Sequence, residues 1–133
     1  MKYLGIDFGL SNVGFAISEE GILAQPFSQF HYKKESELIF KILEICKFQK
    51  IDHLVLGIPD GKIELIIKKF IKKLKKHINI PITLEDETLS SYQARKILIN
   101  SKAPLKKRRN KEHQTAAAVI LQNYLDNLND SLL

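Results

Sequence analysis

The hydrophobic pattern along this chain changes character near residue 33. Before it, short apolar runs alternate with turns. Tyr3-Leu4-Gly5-Ile6 leads into Asp7-Phe8-Gly9, and Asn12-Val13-Gly14-Phe15-Ala16-Ile17 follows. These predict strands over residues 2–8 and 12–18, joined by a turn at Gly9–Ser11, with Glu19-Glu20-Gly21 as a second turn. A less regular strand is expected around residues 22–32, where Pro26 marks an edge or a bulge. Strands joined by turns this short form an antiparallel meander.

After residue 33 the apolar spacing becomes helical. Leu38, Ile39, Ile42, Leu43 and Cys46 predict a helix from Glu35 to Phe48. His53-Leu54-Val55-Leu56-Gly57-Ile58-Pro59 is a compact strand ended by Pro59 and the turn Asp60-Gly61. Ile63, Ile66, Ile67, Phe70, Ile71 and Leu74 then form a helical stripe whose other face is lysine: Lys68, Lys69, Lys72, Lys73, Lys75 and Lys76. The plain reading of that face is a solvated one. Ile82-Thr83-Leu84-Glu85 is a short strand running into Asp86-Glu87. Ser90 or Ser91 caps a helix through about Ile99, and a last helix runs from about Glu112 to Leu128.

The element order is β-β-β-α-β-α-β-α-α. Right-handed crossovers place the last two strands parallel to the first, on its open side. The expected fold is α/β: a mixed five-stranded sheet, three antiparallel strands then two parallel, with helices on both faces. In such sheets a site forms where the carboxyl ends of adjacent parallel strands meet. Asp7, Pro59-Asp60 and Asp86-Glu87 all stand at such ends.

Composition adds bounds. At 133 residues the chain is expected to be a single domain, residues 1–133, large enough for a real core. No apolar run approaches a membrane span, and Met1-Lys2 leads into a strand without a signal-peptide pattern, so no membrane partner is expected. Cys46, the sole cysteine, reads as a small core residue suited to a reducing cytoplasm. The formal net charge of +6 suggests a polyanionic partner without proving one. Monomer and homodimer both remain open.

Asp7 is the first candidate for chemistry. A carboxylate at a strand end beside Gly9 suits either a Mg²⁺ site for phosphate chemistry or a loop that cradles nucleotide phosphates; a hairpin with a turn Asp is the bland alternative. Two ions held by acids from separate elements would activate water and stabilise a leaving oxygen. Asp7 and Glu87 are the first choices. Asp86 alternates to the opposite side of an extended strand, and Glu85 is the alternative to Glu87 if the strand is longer. The third candidate is His113, one helical turn before Ala116 and Ala117, on a face that must pack on the sheet. Imidazole ligates Mn²⁺ or Zn²⁺ more readily than Mg²⁺, and also serves as a general base. Its plain reading is a helix-terminal residue at the sheet edge. His31, His53 and His77 lack ligand spacing and read as structural or solvated. The basic stretch around Lys106, Lys107, Arg108 and Arg109 precedes the His113 helix and suits phosphate tracking; otherwise it is a surface loop. Cysteine pairs, a nucleophile elbow and a Walker loop are absent. A two-lobed nucleotide-binding protein, which opens on a similar strand, needs more chain than this.

The motifs Gly5-Ile6-Asp7-Phe8-Gly9 with Val13-Gly14-Phe15-Ala16, Leu54-Val55-Leu56-Gly57-Ile58-Pro59, Asp86-Glu87-Thr88-Leu89-Ser90-Ser91 and the helix from Ala116 to Leu125 occur in order over nearly the whole chain. Together they resemble the YqgF family, described as Holliday junction resolvases or pre-16S ribosomal RNA processing nucleases with a ribonuclease H-like fold. The resemblance implies a Mg²⁺- or Mn²⁺-dependent endonuclease of the bacterial cytoplasm acting on nucleic acid, either pre-rRNA or branched DNA. Asp7 and Glu87 match family acids. The acid expected just before the double alanine is His113 here, the arginine expected after Glu87 is Thr88, and the loop after Pro59 is short. These departures keep a second reading open: a catalytically degenerate nucleic-acid-binding protein of the same fold.

Overall fold

A computed structural model describes residues 1–58, 63–86 and 105–130. The meander is β1 (Tyr3–Asp7), β2 (Asn12–Ser18) and β3 (Gln25–His31). It is followed by α1 (Glu35–Phe48), β4 (His53–Ile58), α2 (Ile63–Lys75), β5 (Ile82–Asp86) and α3 (Leu105–Asp130). The sheet order is β3-β2-β1-β4-β5, with β1–β2 and β2–β3 antiparallel and β1–β4 and β4–β5 parallel. This is the architecture that the element order and right-handed crossovers dictate. The expected helix over residues 90–99, and Glu87 with it, lie outside the described residues.

Strand alternation sorts the side chains into two cores. Leu4, Ile6, Phe8, Val13, Phe15, Ile17, Leu54 and Leu56 face α1 and α2, where Leu38, Ile42, Ile67, Phe70 and Leu74 meet them. Phe8 and Phe70 rings lie 5.2 Å apart, closing this layer at the site end of the sheet. On the other face Tyr3, Ala16 and Val55 pack under Ala117, Ile120, Leu121 and Leu125 of α3. That helix lies close: a Cβ added to Gly5 would stand 2.8 Å from Leu121 Cβ and 3.0 Å from the Ala117 carbonyl. Gly5 therefore sets how near α3 can come to the central strand.

Three elements differ from expectation, each for a physical reason. β3 starts at Gln25 rather than residue 22, because Ile22 and Leu23, apolar in pattern, are 59% and 69% exposed in the connecting loop. Pro26 does sit on an edge strand, where its missing N–H costs no ladder bond. In α2, Ile66 is 46% exposed, and among the described side chains the buried stripe is Ile67, Phe70, Ile71 and Leu74. And α3 begins at Leu105, taking in the basic stretch that reads as a surface loop. Lysine and arginine are good helix formers, and extending a helix already nucleated by packing needs no further apolar stripe.

Candidate active site

Asp7 ends β1, the central strand, and its alternation puts it with Tyr3 and Gly5 on the α3 face. Its register neighbours are Gly14 on β2 and Gly57 on β4. Neither brings a side chain, and the room over Gly14 is taken by the backbone of α3 at His113 and Gln114. Asp7 is nonetheless only 4% exposed. A carboxylate so enclosed must find a partner for its charge.

That partner comes from α3. His113 Nδ1 lies 3.0 Å from Asp7 Oδ2. The imidazole is the open member, with a side chain 36% exposed against 6% for Asp7. The chain reaches this arrangement because the small residues Ala116 and Ala117 let α3 settle onto the sheet, which carries His113 over the strand end. Gly14 completes the fit: a Cβ there would overlap the carbonyl of His113 and stand 2.6 Å from the nitrogen of Gln114. The turn that follows Asp7 is pinned from β3's end, where the Tyr32 hydroxyl donates to the Gly9 carbonyl at 2.7 Å and the Tyr32 N–H donates to the Ser11 carbonyl at 2.9 Å. Burial raises the phenol's pKa, which keeps this hydroxyl a donor.

The structure brings Asp7 and His113 together, and Glu87 lies outside the described residues. Glu85 lies on β5, which extends through Asp86. Its register partner is Gly57, itself the partner of Asp7, so Asp7, Gly57 and Glu85 form one row across the sheet on the α3 face. Lys106, Lys107, Arg108 and Arg109 occupy the start of α3, in the same helix as His113. Of the remaining histidines, His31 pairs with Asn12 Oδ1 at 3.1 Å on the surface, and His77 is exposed. His53 is half-buried against Thr83 Oγ1 at 2.7 Å, and desolvation lowers its pKa. Cys46 is buried and its thiol is pushed up to about 11 by desolvation, as suits an inert core residue. The residue that sequence reasoning missed is Gln29, whose side-chain oxygen accepts the N–H of Gln114 at 3.0 Å.

The donor set is compatible with a divalent cation. Adjacent ligands of an octahedral ion with bonds of about 2.1 Å stand about 3 Å apart, the separation found between Oδ2 and Nδ1. One carboxylate and one imidazole make two donors. Among the described residues no group of three or more His, Cys, Asp or Glu is placed to hold a metal ion. Completion of the site therefore calls for a further donor or for water.

Comparison with known proteins gives the family and the fold. A family model described as "RuvX: Holliday junction resolvase" matches residues 1–127. A Protochlamydia amoebophila protein named "Putative pre-16S rRNA nuclease" is 38% identical over 139 aligned positions, covering 94% of this chain and 93% of that protein. A Clostridium acetobutylicum protein of the same name is 33% identical, covering 96% of this chain and 100% of the relative. Among solved structures, Thermus thermophilus RuvC in complex with a Holliday junction substrate superposes with a TM-score of 0.65 at 14% identity, covering 97% of this chain and 96% of that one. The fowlpox virus resolvase in complex with Holliday junction DNA superposes at 0.55 and 16% identity, covering 100% and 99%. At these identities the two structures speak for the fold.

Proposed function

Because the chain belongs to the RuvX Holliday junction resolvase family, we propose that it is a divalent-metal-dependent nuclease whose centre is built on Asp7, His113 and Glu87. The observation that carries this reading is the enclosed carboxylate of Asp7 meeting the imidazole of His113 at the carboxyl end of the central strand. The relatives named for pre-16S rRNA share 32–38% identity over nearly the whole chain, which favours processing of the 5′ end of pre-16S rRNA as the activity. Branched DNA is the other substrate, favoured by the junction-bound structural neighbours. Residues 1–133 form one nuclease unit in this reading, working in the bacterial cytoplasm. Among the described residues no helix is long and apolar enough to cross a membrane.

A bound divalent ion would supply charge neutralisation at the scissile phosphate and a more acidic water. Asp7 contributes a negative charge whose backbone is fixed by pairing with β2 and β4 and whose carboxylate is bonded to His113. His113 offers a nitrogen that ligates, or takes a proton from an attacking water. Mn²⁺ is favoured over Mg²⁺ because it accepts imidazole more readily. The basic residues Lys106, Lys107, Arg108 and Arg109 stand in the first turns of α3, a helix with no acid in its first turn. Cations there oppose the helix dipole, and a phosphate backbone laid against them offsets that cost.

A second reading rests on one observation: imidazole stands just before Ala116-Ala117, where the resemblance implies an acid. A chain that lost catalysis and kept the fold would bind nucleic acid without cutting it. The two readings separate in a cleavage assay on labelled precursor rRNA, four-way junctions and single strands, with Mg²⁺ or Mn²⁺ added. Metal-dependent products support the nuclease. Binding without cleavage under any metal supports the degenerate protein.

A further inference from the structure

His113 sits over Asp7 only if one short stretch of α3 is held at one height above the sheet, and the neighbours of that stretch show what holds it. Gly14 on β2 and Gln29 on β3 are register partners, side by side beneath His113 and Gln114. Gly14 provides the space. Gln29 provides the bond: its Oε1 accepts the Gln114 N–H at 3.0 Å, in a half-buried setting. Gln114 lies well inside α3, where a backbone N–H ordinarily serves the helix itself. An external acceptor inserted at this point ties the helix backbone directly to the sheet, one residue from the imidazole. Elsewhere the helix is fixed by apolar packing, and by Gln122, whose amide bonds the Ala24 N–H at 2.8 Å and the Ile22 carbonyl at 2.9 Å. Ala117 packs within one turn of His113, and the Gln122 bonds hold the far half of α3. A hydrogen bond of this length adds a directional tie between the Gln114 backbone and β3 that apolar packing does not supply.

We propose that Gln29 is a positioning residue that acts through His113, fixing the imidazole against Asp7 by holding the Gln114 backbone. The proposal rests on the metal-site reading for its consequence and on geometry alone for its premise. Outer partners that orient a ligand are worth about 10-fold to 100-fold in metal affinity.

The experiment uses the full chain as wild type, Gln29→Ala, Gln29→Glu, Gln122→Ala, His113→Ala and the double variant Gln29→Ala/His113→Ala. Two quantities are read: the His113 imidazole NMR signal in metal-free protein, assigned by its loss in His113→Ala, and Mn²⁺ affinity by calorimetry. Gln29→Ala is expected to move the His113 signal toward that of a solvated histidine and weaken Mn²⁺ binding about 10-fold. Gln29→Glu keeps an acceptor and holds the signal in place. Gln122→Ala releases the far half of α3 from Ile22 and Ala24 and leaves the His113 signal unmoved. In the His113→Ala background, adding Gln29→Ala changes nothing further. An unmoved signal in Gln29→Ala overturns the proposal. So does an equal displacement in Gln122→Ala, or a Mn²⁺ loss that persists without His113. If the wild type binds no Mn²⁺, the metal-site reading fails by itself, and the His113 signal still decides whether Gln29 positions the ring.

Discussion

Asp7 and His113 are 106 positions apart in the chain and 3.0 Å apart in the fold, and the histidine is the outer of the two. With the carboxylate side chain 6% exposed and the imidazole 36%, His113 is the member of the pair that faces solvent.

Asp7→Asn removes the charge and keeps the shape. The amide still accepts or donates toward the imidazole, so the fold should survive with a melting temperature within a few degrees of wild type. Cleavage should fall by at least about a hundredfold, because the fixed negative charge at the strand end is gone. Thermal melting and single-turnover cleavage, measured together, check both halves. Undiminished cleavage excludes Asp7 as an essential group.

Replacing Lys106, Lys107, Arg108 and Arg109 by glutamine tests the start of α3 as a phosphate-tracking surface. On a duplex the slope of log K against log salt should become shallower by about 0.9 for each phosphate that the chain no longer neutralises. Glutamine is a good helix former, so the helix itself is retained. Binding measured across a salt series gives the slope, and an unchanged value returns these residues to a solvated helix end.

Much of this arrangement is legible from the chain alone. Alternation about Leu4, Ile6 and Phe8 fixes the face of β1 and so sends Asp7 to the other side. Ala116-Ala117 identifies the close face of α3 and therefore the direction of His113. Where the pattern misleads, packing is the reason. Ile22 and Leu23 look like strand residues, yet the loop they occupy is held by the Gln122 amide, a partner about a hundred residues distant that no local pattern announces. The first turns of α3 carry no apolar period, so periodicity alone gives no sign that the helix begins as early as Leu105. Gln29 gives no signal at all. A lone glutamine in an irregular edge strand becomes meaningful only when the strand pairing sets it beside Gly14, under a helix 85 residues later.

His53 predicts an acid-side loss of stability. Its ring lies tilted against Tyr3 at 5.3 Å and Tyr124 at 5.7 Å and is bonded to Thr83 Oγ1 at 2.7 Å, and desolvation lowers its pKa. A histidine depressed on folding takes up its proton first in the unfolded chain. Stability is therefore whole above the unfolded value of about 6.5, is lost as pH falls below it, and levels off below the folded value. His53→Gln preserves a hydrogen-bonding group without the titration. The denaturant midpoint of the wild type should drop relative to this variant between about pH 7 and pH 5. Parallel curves for the two proteins would show that His53 charges without cost.

His113 marks the point where this chain departs from the pattern it otherwise follows, and it decides which ion the centre prefers. With imidazole in place of a carboxylate, the site holds one negative charge fewer. Mg²⁺, a hard ion that favours oxygen donors, should bind weakly, and Mn²⁺ should support more cleavage. His113→Asp restores an oxygen donor beside Asp7. It should strengthen Mg²⁺ binding by about 10-fold or more and raise Mg²⁺-supported cleavage. His113→Ala should reduce binding and cleavage with either ion, since Asp7 is then left enclosed without its imidazole partner. Calorimetric titration of the three proteins with each metal, alongside cleavage of precursor rRNA and four-way junctions, gives the comparison. Equal behaviour of all three would make His113 a packing residue and leave the centre to the acids. If Mn²⁺ binds and none of the three cuts any substrate, restoring the acid does not restore catalysis, and the reading as a non-catalytic nucleic-acid-binding protein becomes the better one.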